Sequence, residues 1–158
     1  IAINGELLHG MLHPEAGHIL ITKQEKDKEK CVCPYHDSCF EGLASGPAIE
    51  KRYGKPAKDL RNDESVWELE SDYIAQAIMN YILVLAPEKI ILGGGVMHQE
   101  QLFPLIRKKV LKNLNGYIET KELADIDNYI VPASLNDNQG IMGAVRIGLE
   151  AILSQNQA

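Results

Sequence analysis

The stretch Cys31-Val32-Cys33-Pro34-Tyr35-His36-Asp37-Ser38-Cys39-Phe40-Glu41-Gly42-Leu43-Ala44-Ser45-Gly46-Pro47, preceded by Glu15-Ala16-Gly17-His18, decides how this chain is read. All three cysteines of the chain lie within nine residues. An odd number argues against a pure disulfide framework, and so tight a cluster suits metal ligation in a reducing compartment. Cys33, His36 and Cys39 are spaced three and three apart. Pro34 stiffens the turn and Asp37-Ser38 suit a bend, so all three side chains can aim at one point. Zinc takes four N or S ligands in a tetrahedron. His18 is the natural fourth, and Cys31 competes for a place in the shell. Four such ligands describe a closed, structural site; three with an open position would describe a catalytic one. The alternative is free thiols in a polar loop. If the site is structural, a chelator should loosen the loop.

A closed zinc site performs no chemistry itself; its expected role is to hold neighbouring groups rigidly. Glu15 and His18 share one element, and Glu41 follows Cys39 closely. Carboxylates held in this way can accept hydrogen bonds from several hydroxyls of one ligand. Taken singly, each is also readable as a surface carboxylate.

The chain has 158 residues, the size of one domain, with a net charge of −6 and ordinary apolar and charged fractions. The acidic balance argues against a general nucleic-acid or membrane-surface binder. No apolar run reaches the roughly 18 residues needed to span a bilayer. The start Ile1-Ala2-Ile3-Asn4-Gly5 has no basic region or cleavage site of a signal peptide. It opens in mid-strand without Met, and the chain is expected to be the carboxyl-terminal part of a longer protein.

Residues 1–22 read as two short strands around a turn at Asn4-Gly5, with Ile19-Leu20-Ile21 as the second apolar segment. Lys23 to Lys30 is charged without apolar period and reads as a solvated loop. A short helix is expected from Glu41 and another over Ala48 to Tyr53. Ser65-Val66-Trp67-Glu68 matches a capping box. Behind it Val66, Leu69, Tyr73, Ala77, Tyr81 and Leu85 recur at helical spacing until Pro87. Lys89 to Leu92 reads as a buried strand. Gly93-Gly94-Gly95 then turns the chain into a helix carrying Leu102, Ile106, Val110 and Leu114. Tyr129-Ile130-Val131 is a further strand. Asp137 or Asn138 can cap a last helix with Ile141, Val145, Leu149 and Ile152 on one face. This order predicts an α/β fold with helices on a mostly parallel sheet.

Gly93-Gly94-Gly95 after a strand allows close backbone approach to a ligand, and a following helix N-terminus would offer free N–H groups to phosphate. The turn matches neither GxGxxG nor the P-loop, and alone it is equally a plain tight turn. Gly140, Gly143 and Gly148 read as close-packing positions, and His9, His13 and His98 as isolated.

Glu15-Ala16-Gly17-His18, the run Cys33 to Ile49, and Leu92-Gly93-Gly94-Gly95-Val96 together resemble the ROK family of sugar kinases and repressors. The Cys-Pro-Tyr-His form resembles its bacterial fructokinase branch. The closing stretch Leu135-Asn136-Asp137-Asn138-Gln139-Gly140-Ile141-Met142-Gly143-Ala144 resembles the family's last strand-to-helix turn. The resemblance implies an actin-like ATPase (ribonuclease H-like) fold of two α/β domains. Residues 1–158 would be the carboxyl-terminal domain, with a zinc loop over about 18–41. It implies that Glu15, His18 and Glu41 contact a fructose or similar hexose, with His18, Cys33, His36 and Cys39 on structural zinc. It implies that Gly93, Gly94 and Gly95 line the ATP side, with Gly46 and Pro47 near the adenine, and that Mg2+ accompanies ATP. A cytoplasmic homodimer is implied as well. The family's phosphate loop and its catalytic Asp, the general base for the sugar hydroxyl, have no counterpart in this sequence. The chain alone is therefore expected to be inactive, and its own cleaved amino-terminal half is a conceivable partner. The competing readings are a non-catalytic, sugar-responsive ROK regulator and a bare zinc-knuckle module.

Overall fold

The computed structural model describes residues 1–135 and 137–155; Asn136 of the closing stretch lies outside the described residues. Asn4 and Gly5 both hold positive φ (54° and 83°), as a two-residue type I′ turn requires. They join β1 (Ala2–Ile3) and β2 (Glu6–Leu7) into an antiparallel hairpin. Ile19 to Ile21, the second apolar segment, forms no strand of its own. Leu20 makes a single bridge to Cys39, flanked by Phe40 N–H to Ile19 O and Ile21 N–H to Ser38 O, both 2.9 Å. The ladder stops there because Phe40 already opens a helix.

That helix is α1 (Phe40–Ala44), and α2 (Gly46–Tyr53) follows directly. The Ser45 hydroxyl accepts from Ala48 N–H at 3.4 Å, so α2 begins two residues earlier than its apolar pattern suggests. Pro47 in its first turn costs nothing there, because that N–H would be unpaired anyway. α3 (Glu64–Leu85) is capped by Asp63, not Ser65. The Asp63 carboxylate accepts from Ser65 N–H at 3.2 Å and its hydroxyl at 2.7 Å. An aspartate two residues earlier takes the cap, which places Ser65 inside the helix. Ala86 ends α3 in the left-handed region ahead of Pro87.

β3 (Ile90–Leu92) and β4 (Ile130–Pro132) pair in parallel, Ile90 opposite Ile130. Parallel neighbours need a crossover. Here it runs through a 3-10 turn (Gly95–His98), α4 (Leu102–Leu114), α5 (Lys121–Ala124) and α6 (Ile126–Tyr129). The 3-10 turn is a correction: the glycines do not lead straight into an α-helix, and α4 begins only at Leu102. Among the described residues the strands form only two two-stranded sheets, smaller than the expected sheet.

The core lies between α3 and α4. Trp67, Ile74, Ile78 and Ile82 pack with Leu102, Ile106, Val110 and Ile130. The Trp67 indole N–H is satisfied by Leu60 O at 3.0 Å. The last helix, α7 (Gln139–Gln155), carries the expected apolar stripe, but the stripe is bare. Ile141, Val145, Leu149 and Ile152 are 50–66% exposed. A Cβ at Gly140, Gly143 or Gly148 would meet nothing within 4 Å, so these glycines are not close-packing positions within the described residues. Among the described residues no helix is long and apolar enough to cross a membrane.

Candidate functional site

The 3-10 turn Ala16–His18 and the loop ahead of α1 bring four donor atoms together. One ligand atom each from His18, Cys33, His36 and Cys39 lies within 4.8 Å of the others. Cys33 Sγ stands 3.5 Å from His36 Nδ1 and 3.9 Å from His18 Nδ1. A tetrahedral zinc with ordinary Zn–S and Zn–N bonds separates S from N by about 3.6 Å. The donor set and its spacing therefore fit zinc. Cys31 is not one of the four; its sulfur sits where a side chain at position 42 would be, against Gly42. Burial pushes the Cys39 thiol up to about 11, against the pull of Gly42 N–H, with Cys33 and Cys31 adding to the rise. A cation entering the site must displace that proton.

Cys39 is also the N-cap of α1, its sulfur accepting from Gly42 N–H at 3.4 Å. The metal loop and the helix carrying Glu41 are thus one unit. Glu41 Oε2 lies 3.9 Å from His18 Nε2, and the Glu41 carboxylate is open to solvent. A Cβ at Gly17 would press on that carboxylate at 3.2 Å, so glycine there leaves Glu41 its place. Glu15 is exposed and precedes the same 3-10 turn, its carbonyl accepting His18 N–H at 3.0 Å. Tyr81 of α3 fixes this turn by donating to Ala16 O at 2.6 Å.

A cavity of about 600 Å³ opens at the C-terminal end of β3 and β4. Gly93, Gly94, Met97, His98, Arg107 and Gln139 are among its lining residues. Gly94 requires glycine, at φ 88°. Gly93 lets β3 approach Ala133, whose Cβ would lie 3.1 Å from an added methyl. Gly95 opens the 3-10 turn and is not part of the lining, nor are Gly46 and Pro47 in the first turn of α2. His98, isolated in the sequence, meets Asp137 at 2.8 Å across the cavity mouth. Their separation of 39 residues leaves no local sequence signal.

The charged run Lys23 to Lys30 is not merely solvated. Asp27 within it is buried. Arg52 Nε donates to Asp27 Oδ2 at 3.1 Å, and Tyr73 Oη donates to the same oxygen at 2.8 Å. Burial alone would raise Asp27, but hydrogen bonds from Arg52 and Tyr73 outweigh it and hold the carboxyl below its usual range. Glu70 lies behind, its Oε2 3.6 Å from Arg52 Nη1, and burial pushes it up to about 8 despite that guanidinium. The one available hint is the register: Glu70 falls on the apolar face of α3, three residues from Trp67 and from Tyr73.

A model of the ROK family matches residues 1–151. A Bacillus subtilis protein, provisionally named a fructokinase, is 53% identical over 97% of this chain and 52% of its own length. The Pediococcus pentosaceus fructokinase is 49% identical over 92% of this chain and 50% of its own. The chain spans about half the length of these curated relatives. Among solved structures, the ROK hexokinase of Thermus thermophilus superposes with a TM-score of 0.70 at 21% identity, over 90% of this chain and 50% of that one. The likeness shows the fold: the actin-like α/β type expected from the sequence.

Proposed function

The chain belongs to the ROK family, and on that premise we propose that it is the carboxyl-terminal domain of an ATP-dependent fructokinase, converting D-fructose and ATP to fructose 6-phosphate and ADP. The observation that carries this reading is the 49–53% identity to fructokinases over nearly the whole chain. The convergence of Glu41 and His18 beside a four-donor metal centre supports it. That identity favours a kinase over a non-catalytic ROK regulator.

In this reading Glu15 and Glu41 accept hydrogen bonds from the hexose hydroxyls, His18 donates to the hexose through Nε2–H with its Nδ1 turned to the metal, and together they fix the hydroxyl that is phosphorylated. His18, Cys33, His36 and Cys39 hold zinc, which when bound supplies rigidity and no catalytic step. The cavity at Gly93 and Gly94 takes the nucleotide with its Mg2+, since backbone there approaches without side-chain obstruction. Gly95 shapes the turn. Gly46 and Pro47 stand outside the cavity lining and gain no support from it as adenine contacts. The phosphate loop and the general base are contributed by an amino-terminal half. A cytoplasmic homodimer completes the reading.

The test is a coupled assay of ADP release by the longer protein containing this chain, with fructose and Mg-ATP. Fructose-dependent turnover is expected, with an E41Q variant raising KM for fructose more than that for ATP. Turnover with no hexose, or none with any hexose, overturns the reading.

A further inference from the structure

α3 presents a row of polar groups, Glu70, Tyr73, Gln76 and Tyr81, on and beside its buried face. Tyr81, Gln76 and Tyr73 each hold a successive piece of the chain running from the 3-10 turn of His18 toward the metal loop, while Glu70 faces Arg52. Tyr81 holds Ala16. Gln76 exchanges two hydrogen bonds with Thr22, at 2.8 and 3.0 Å. Tyr73 accepts from Gln24 N–H at 3.3 Å and donates to Asp27. Arg52 closes the row from the other side, donating to Asp27 and, at 2.8 Å, to Leu43 O in the helix that carries Glu41. The Asp27 and Arg52 side chains are 0% and 7% exposed. Asp27 Oδ1 also accepts Glu29 N–H at 3.1 Å, which bends the chain back toward Cys31 and Cys33.

We propose that Asp27, Arg52 and Tyr73 form a positioning clasp that sets the distance between His18 and the Cys33–Cys39 loop, and thereby the metal affinity of the centre. The inference rests on the reading of that centre as a metal site. None of the three residues touches the four donors. His18 and Cys33 lie 15 positions apart, and beyond the buried Ile21 the residues up to Lys30 are all charged or polar, with little apolar surface to order them. Unpinned, that segment is a flexible loop whose closure costs entropy each time a cation draws the ligands together. Pinned at Thr22, Gln24, Asp27 and Glu29, it meets the cation already ordered, which is how preorganisation raises affinity.

The experiment is Co2+ binding to the chain, read by its d–d absorption and by chelator competition, alongside thermal unfolding of the metal-free chain. Y73F removes one hydroxyl and D27N removes one charge. I106V, a core change far from the loop, serves as a control that lowers the unfolding midpoint without touching the clasp. Y73F and D27N are expected to weaken Co2+ binding tenfold or more while keeping the band position, and I106V to leave affinity within twofold. If D27N fails to fold, Y73F alone decides. Unchanged affinity in the clasp variants overturns the proposal, as does an equal loss in I106V. A parent chain that binds no Co2+ overturns the metal reading itself, and the clasp with it.

Discussion

Replacing Gly42 with Ala tests how tightly the metal loop and α1 are coupled. In an ordinary helix interior the change stabilises by roughly 1 kcal/mol. Here the added Cβ falls on Cys31 Sγ, 2.8 Å from Cys33 Cβ and 3.0 Å from Cys33 N. The sulfur can rotate away, but the Cys33 backbone cannot. Ordinary contact begins at about 3.5 Å, so Cys33 must retreat by roughly 0.5–0.7 Å. Overpacking of this kind costs about 1–3 kcal/mol, and contacts this short with the Cys33 backbone put position 42 in the upper part of that range, about 2–3 kcal/mol. Less the helix gain, G42A loses about 1–2 kcal/mol. Metal–ligand distances tolerate only about 0.2 Å, so much of the loss appears as affinity, about 5- to 30-fold. The assay is Zn2+ competition against a chromophoric chelator, with thermal unfolding in parallel. Gly46, with open space around its Cβ position, is the control, and G46A should stay within about 1 kcal/mol of the parent. Parent-like zinc affinity and stability in G42A would refute the coupling.

Other consequences are as direct. Glu70 is raised to about 8 by burial from an ordinary 4.5, so the folded chain holds a proton that the unfolded chain has released. Its contribution is fully present below pH 4.5 and fades as pH rises through about 8. In E70Q, the fall in urea-measured stability between those pH values should flatten. Chelator treatment should raise hydrogen exchange across residues 18–43 while leaving the α3–α4 core protected, as for any locally metal-organised segment. Ile106, fully buried between α3 and α4, should cost about 2–5 kcal/mol on truncation to Ala in denaturant unfolding.

The hairpin, α3, α4 and the β3–α4–β4 crossover were legible because each has a local cause: Asn4-Gly5 for the turn, an apolar period for each helix, Pro87 for a stop. The convergence of His18, Cys33, His36 and Cys39 was legible for the same reason, with three of the four inside seven residues. What remained hidden is held by long-range polar pairing. Asp27 looks solvated among lysines until Arg52 and Tyr73, 25 and 46 residues away, are folded onto it. His98 and Asp137 meet likewise across the crossover. The cap of α3 moved to Asp63 because two adequate capping residues compete within three positions. The stripe of α7 was read correctly as apolar, but periodicity identifies a face to be covered and not what covers it.

Native mass spectrometry of residues 1–158 with zinc tests the four-donor centre most directly, because it counts the ion and assigns its ligands in one experiment. The prediction is one zinc per chain, retained in C31S and lost in C33S and in H18A. A chain that carries no zinc, or that loses it as readily in C31S as in C33S, would contradict the centre on which the functional reading stands.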